Sequence, residues 1–132
     1  MTAPDPAPAA PPADAGRVMI LSADLLTGTP LVAAVRAAGF APRRVLSIGK
    51  ADPKGCVAVL LDLSFKGGAD WLAALSADAP PVLAFGPHVH AEKLRAARAA
   101  GRGPVLARSQ LSAGVPAWLD SLRKDGAGDA DG

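Results

Sequence analysis

Short apolar runs alternate along the chain with stretches of helical periodicity, and this alternation constrains the fold more than any other feature. The runs are "RVMILS", "RRVLSI", "CVAVLLDLS", "PPVLAF" and "PVLA". Between and after them stand "TPLVAAVRAAGF", "ADWLAALSA", "HAEKLRAARAAG" and "VPAWLDSLRK", each with apolar residues on one helical stripe. A strand followed by a helix followed by another strand is the signature of βα units around a parallel sheet. "CVAVLLDLS" is apolar in both parities, as a central parallel strand covered on both faces must be. The sequence therefore predicts an α/β fold: a five-stranded parallel sheet, doubly wound.

Local signals set the expected helix ends. Thr29 reads as a cap and Pro30 as a first-turn residue of the first helix, with Gly39 ending it. Gly101 ends the helix that opens at His90, and Val115, Trp118, Leu119 and Leu122 share one face of the last helix. One joint is irregular. Only "GKADPKG" separates the second and third strands, too short and too broken for a packed crossover helix, so the second crossover helix is expected to be short or missing.

The chain has 132 residues, 50% of them apolar, which suffices for one domain with a real core built from Val, Leu, Ile and Ala. Residues 1–16 are Pro- and Ala-rich and read as an extended arm, 17–124 as the folded domain, and 125–132 as a Gly- and Asp-rich tail. The formal net charge of +2 is too small to mark a nucleic-acid binder. Cys56 is the single cysteine, which excludes an internal disulfide and reads as a small hydrophobe. No run approaches the length that spans a bilayer, and the N-terminus carries no basic region followed by an apolar one, so the expected location is the cytoplasm with no membrane partner.

Asp62 is the one carboxylate in the "VAVLLDLS" run. Desolvating an unpaired carboxylate is costly, so Asp62 is expected where the strand meets solvent, at the sheet's carboxyl edge where open α/β folds place their sites.

From about Arg17 to Leu122 the chain resembles the receiver domain of two-component response regulators, through "VLLDLS", "PPVLAF" and "RAAGRGPVLARS". The resemblance implies a phosphoacceptor position at Asp62. It also implies two Mg²⁺-holding acids at Ser22 and Ala23, a hydroxyl at Gly86 and a lysine at Arg108, followed by Ser109 where proline is usual. Only Asp62 keeps the family identity. Mg²⁺ wants several oxygen ligands, and a one-residue slip that would recruit Asp24 reverses every side chain of "VMIL". The chain thus resembles a degenerate receiver, or pseudo-receiver: a non-enzymatic signalling module acting through protein partners, with no cofactor.

Several alternatives remain open at this stage. A phosphorylatable single-domain regulator would use Asp62 with Mg²⁺ and take its phosphate from a histidine kinase. The structural alternative has Asp62 capping the loop that follows it or pairing with Arg108, whose planar fork cannot be deprotonated. A small-molecule or nucleotide binder would use Gly67, Gly68, His88 and Arg108. His88 and His90 form an i, i+2 pair that suits either solvated loop residues or part of a metal site. Arg95, Arg98 and Arg102 fall on one stripe, a solvated face or a docking surface for an acidic protein, without the interleaved aromatics of a nucleic-acid binder. The missing helix would bare the sheet face near Val45 to Ile48 and invite a homodimer. No phosphate-loop motif surrounds "FKGGADW", and no nucleophile elbow surrounds Ser22, Ser64 or Ser109.

Overall fold

The computed structural model describes residues 16–87 and 89–131, with side chains described up to 123. Five parallel strands stand in the order β2-β1-β3-β4-β5. They are β1 (Arg17–Leu21), β2 (Ala41–Val45), β3 (Cys56–Asp62), β4 (Val82–Gly86) and β5 (Val105–Ala107). Four helices follow strands 1, 3, 4 and 5: α1 (Leu25–Ala37), α2 (Gly68–Ala73), α3 (Ala91–Ala100) and α4 (Leu111–Asp131). This is the doubly wound α/β sheet that the alternation predicts.

Strand parity builds two cores. Successive strand residues point to opposite faces. Met19, Leu21, Val59, Leu61, Val82 and Ala84 therefore pack with Leu72 of α2 and with Leu94 and Ala97 of α3. Val18, Ile20, Ala58, Leu60, Leu83 and Phe85 pack on the other face with Leu31 and Val35 of α1 and with Val115 and Leu119 of α4. Large aromatic anchors are few, so the fit rests on many branched aliphatic contacts. Each fully buried side chain of that size contributes about 1.5–3 kcal/mol relative to exposure.

Helix α1 starts earlier than the Thr-Pro signal suggests. Asp24 is the cap: its carboxylate accepts from the Leu26 amide at 3.0 Å and from Thr27 Oγ1 at 2.9 Å. Thr29 and Pro30 consequently lie inside the helix. Arg44 secures this corner from β2, donating through Nη2 to the Ser22 carbonyl at 3.2 Å and the Asp24 carbonyl at 3.3 Å. At the other end of the chain, the backbone of α4 stays helical through Asp131, across residues whose Gly- and Asp-rich sequence reads as a tail.

The β2–β3 joint contains one 3₁₀ turn, Ile48–Lys50, in place of a crossover helix. The sheet face is nevertheless covered. Val45 is buried, and Ile48 and Ala51 pack on the α2/α3 core together with Trp71. The Trp71 indole N–H donates to the Ala51 carbonyl at 2.9 Å, which pins the turn onto the sheet. The bare patch expected between Val45 and Ile48 shrinks to Leu46, 67% exposed.

Two substitutions test this account. A Cβ at Gly103 would lie 2.2 Å from the Val82 carbonyl oxygen, a backbone atom that cannot step aside. Gly103→Ala is expected to lower the urea unfolding free energy by about 2–3 kcal/mol, from overpacking and backbone strain together. Trp71→Phe removes the indole donor while keeping an aromatic ring. It should cost about 1 kcal/mol and speed amide exchange in the Ile48–Ala51 turn.

Candidate functional site

The carboxyl edge of the sheet assembles the site from residues that share a parity. Ser22 follows Val18 and Ile20 on β1, and Asp62 follows Ala58 and Leu60 on β3, one step beyond the paired residues Leu21 and Leu61. Both therefore turn toward the α1/α4 side. Ser22 is fully buried and its hydroxyl donates to Asp62 Oδ2 at 3.4 Å. The Ser64 amide donates to Asp62 Oδ1 at 2.8 Å, an Asx-type closure of the strand end. Arg108, the first residue after β5, brings Nη2 to 3.7 Å from Asp62 Oδ2.

Asp62 is 3% exposed, which corrects the expectation that it lies in solvent. The physical requirement behind that expectation is met in a different way. The charge is buried but compensated, by one cation and two donors, as a desolvated carboxylate requires. The expected cap and the expected ion pair with Arg108 are present together. The pair is asymmetric: the Arg108 side chain is 42% exposed against 4% for Asp62. Water screens the arginine end, and 3.7 Å exceeds the length of a charge-assisted hydrogen bond.

The remaining switch-pocket positions are not gathered around Asp62. Ala23 has the parity of Met19 and Leu21 and lines a separate cavity with Ile48 and Phe65 on the α2/α3 side. Gly86 shares the parity of Val82 and Ala84. A Cβ there would stand 3.6 Å from the Leu63 Cβ and 3.9 Å from Leu94 Cδ2. Asp24 is occupied as the α1 cap. The sequence reading missed both that cap and the Arg44 clamp behind it.

The candidate ligand residues also separate. Gly67 takes a positive φ of 80° and borders the Ala23 cavity, while a Cβ at Gly68 would press to 3.1 Å on Leu61 Cδ1. Both glycines thus serve the tight turn into α2. Arg108 lines a different groove, between α1 and α4. His88 lies outside the described residues. His90 precedes α3, and its Nδ1 is buried with no hydrogen-bond partner among the described residues.

The arginine stripe is shorter than the spacing suggests. Arg95 and Arg98 are exposed on α3. Arg102 lies past the helix end at Gly101, where the backbone turns left-handed. Its guanidinium reaches back to the Ser76 carbonyl at 2.7 Å and to the Leu75 carbonyl. The chain reversal at Gly101 takes Arg102 off the stripe and makes it a clamp on the segment after α2.

The sequence matches no protein-family model and no curated protein. Among the described residues no helix is long and apolar enough to cross a membrane. Solved structures do resemble the chain. An orphan response regulator of H. pylori superposes with a TM-score of 0.64 at 14% identity, over 83% of this chain and 94% of that one. A response regulator from Thermotoga maritima gives 0.65 at 10% identity, over 83% and 98%. A response regulator receiver protein from Burkholderia phymatum gives 0.57 at 22% identity, over 70% and 82%. The chain has the fold of response-regulator receiver domains.

Proposed function

We propose that this chain is a receiver-like signalling module, without enzymatic activity, that works through protein contacts and not through Mg²⁺-dependent phosphorylation of Asp62. One observation carries the reading: among the described residues, the one carboxylate buried at the sheet's carboxyl edge is already balanced, by Arg108 and by hydrogen bonds from Ser22 and Ser64.

The residues present do not fit a Mg²⁺ site. Mg²⁺ demands near-octahedral oxygen coordination, usually with one or two carboxylates. Here a buried hydroxyl and a methyl group stand at Ser22 and Ala23, and the carboxylate of Asp24 is spent on the α1 cap. Among the described residues no three His, Cys, Asp or Glu side chains come together. A guanidinium beside Asp62 also supplies the positive charge that a metal would otherwise bring.

Partner binding is a way for such a module to signal without phosphoryl transfer. Arg95 and Arg98 present an exposed positive face on α3 that favours an acidic protein surface. Leu25, Leu26, Leu46 and Val89 are exposed apolar side chains open to a partner or a second copy.

The decisive experiment is intact mass after incubation with acetyl phosphate and Mg²⁺. The wild-type mass should not change. A phosphate-sized gain that Asp62→Asn removes would overturn the reading in favour of a phosphorylatable regulator. Stability gives an independent check. Arg108→Ala leaves Asp62 buried with only Ser22 and Ser64 as partners. It should lower the unfolding free energy by about 1–2 kcal/mol, less than for a fully buried pair because the arginine end is hydrated. Asp62→Asn in the Arg108→Ala background should recover part of that loss.

A further inference from the structure

Helices α1 and α4 both start at the carboxyl edge, and a groove of about 550 Å³ runs between them beside Arg108. That volume lies within the range of small-molecule sites. Leu26, Pro30 and Ala34 form its α1 wall, one residue per turn, and Leu111 and Val115 form the facing wall on α4. The polar lining residues, Asp24, Thr27, Arg108 and Ser112, all belong to the carboxyl-edge end, where the two helices begin.

At that polar end, Arg108 is the one cation among the described lining residues. One oxygen of Asp24 accepts from the Leu26 amide and the other from the Thr27 hydroxyl. The Arg108 guanidinium has a single polar contact among the described residues, at 3.7 Å from Asp62. Most of the guanidinium fork is therefore open, and Arg108 lines the polar end of the groove. A planar fork with free N–H groups matches the two oxygens of a carboxylate. Leu26, 87% exposed, stands at the rim, where burial under an apolar chain favours occupancy.

We propose that this groove binds an amphipathic monocarboxylate, with its head on Arg108 and its apolar body along α1 from Leu26 to Ala34. Eight residues of helix span about 12 Å, the length of a medium-chain acid. A cationic head would meet the guanidinium of Arg108 as a like charge, and a neutral one leaves the guanidinium fork unfilled. Head and Asp62 compete for one guanidinium, so occupancy of the groove loosens the ion pair at the sheet edge. The proposal goes beyond the protein-contact reading and stands or falls separately from it, since its readout involves no partner and no phosphate.

The test is calorimetric titration of the full chain with decanoate, decanol and decylamine, each below its aggregation concentration. Decanoate is expected to bind saturably at one site and more tightly than either analogue. Arg108→Gln should weaken decanoate at least tenfold and leave decanol unchanged. Asp62→Asn should tighten decanoate, because the competing anion is gone, and Ala34→Trp should abolish binding by filling the groove. Equal affinity for all three probes, no saturable binding of decanoate, or full decanoate affinity in Arg108→Gln would each overturn the proposal.

Discussion

The central strand has to bury both of its faces, and most of the architecture follows from that requirement. Residues of β3 alternate between two cores, one closed by α1 and α4 and the other by α2 and α3. A slip of one residue would exchange the two sets and place Asp62 against the α2/α3 core. The register fixed by β1 and β4 prevents this, and it delivers Asp62 to the side where Arg108 arrives after β5 and Ser22 after β1. The site is thus a product of parity: three chain-distant residues meet because each lies at the end of a strand on the same face.

Arg108 is the residue that links the two environments at this edge. On one side it offsets a carboxylate that the strand has carried out of water, and on the other it is the cation at the mouth of the α1/α4 groove. A lysine would give a point charge able to serve only one of these neighbours well, whereas the wide guanidinium faces both. Anything that draws Arg108 toward the groove weakens its hold on Asp62. The carboxylate would still keep the Ser64 amide and the Ser22 hydroxyl, so the edge can rearrange without leaving Asp62 wholly without partners.

Much of the fold was legible in the sequence because apolar periodicity reports directly on which faces are buried. "VMIL" and "AVLL" are doubly covered strand segments as their apolar runs suggest, and Gly101 ends α3 as its position suggests. Misreadings arose where a local signal competed with a tertiary contact. The Thr29-Pro30 pair is a strong helix-start signal, but Asp24, five residues before Thr29, captures the Leu26 amide, and Arg44 from a neighbouring strand holds that corner. Helical spacing put Arg102 on a stripe with Arg95 and Arg98, yet the helix ends before it. In the site, the Asp62–Arg108 pair was readable from the strand ends. The burial of Asp62 was not, because it depends on how Ser22 and the β3–α2 loop close around it.

The absence of a helix between β2 and β3 and the residue types at the sheet edge have a common physical basis. The stability of this sheet resides in the alternating residues inside the strands, whereas Ser22, Ala23 and Arg108 lie just past the strand ends and Gly86 is the last residue of its strand. The core places no demand on the exposed Ala23, and Ser22 brings a hydroxyl and not a like charge to Asp62. The missing helix is offset in a similar way, since Ile48, Ala51 and Trp71 cover the face from a shorter path. Fold and edge chemistry occupy different residues: the alternating strand residues set the first, and the second centres on one arginine.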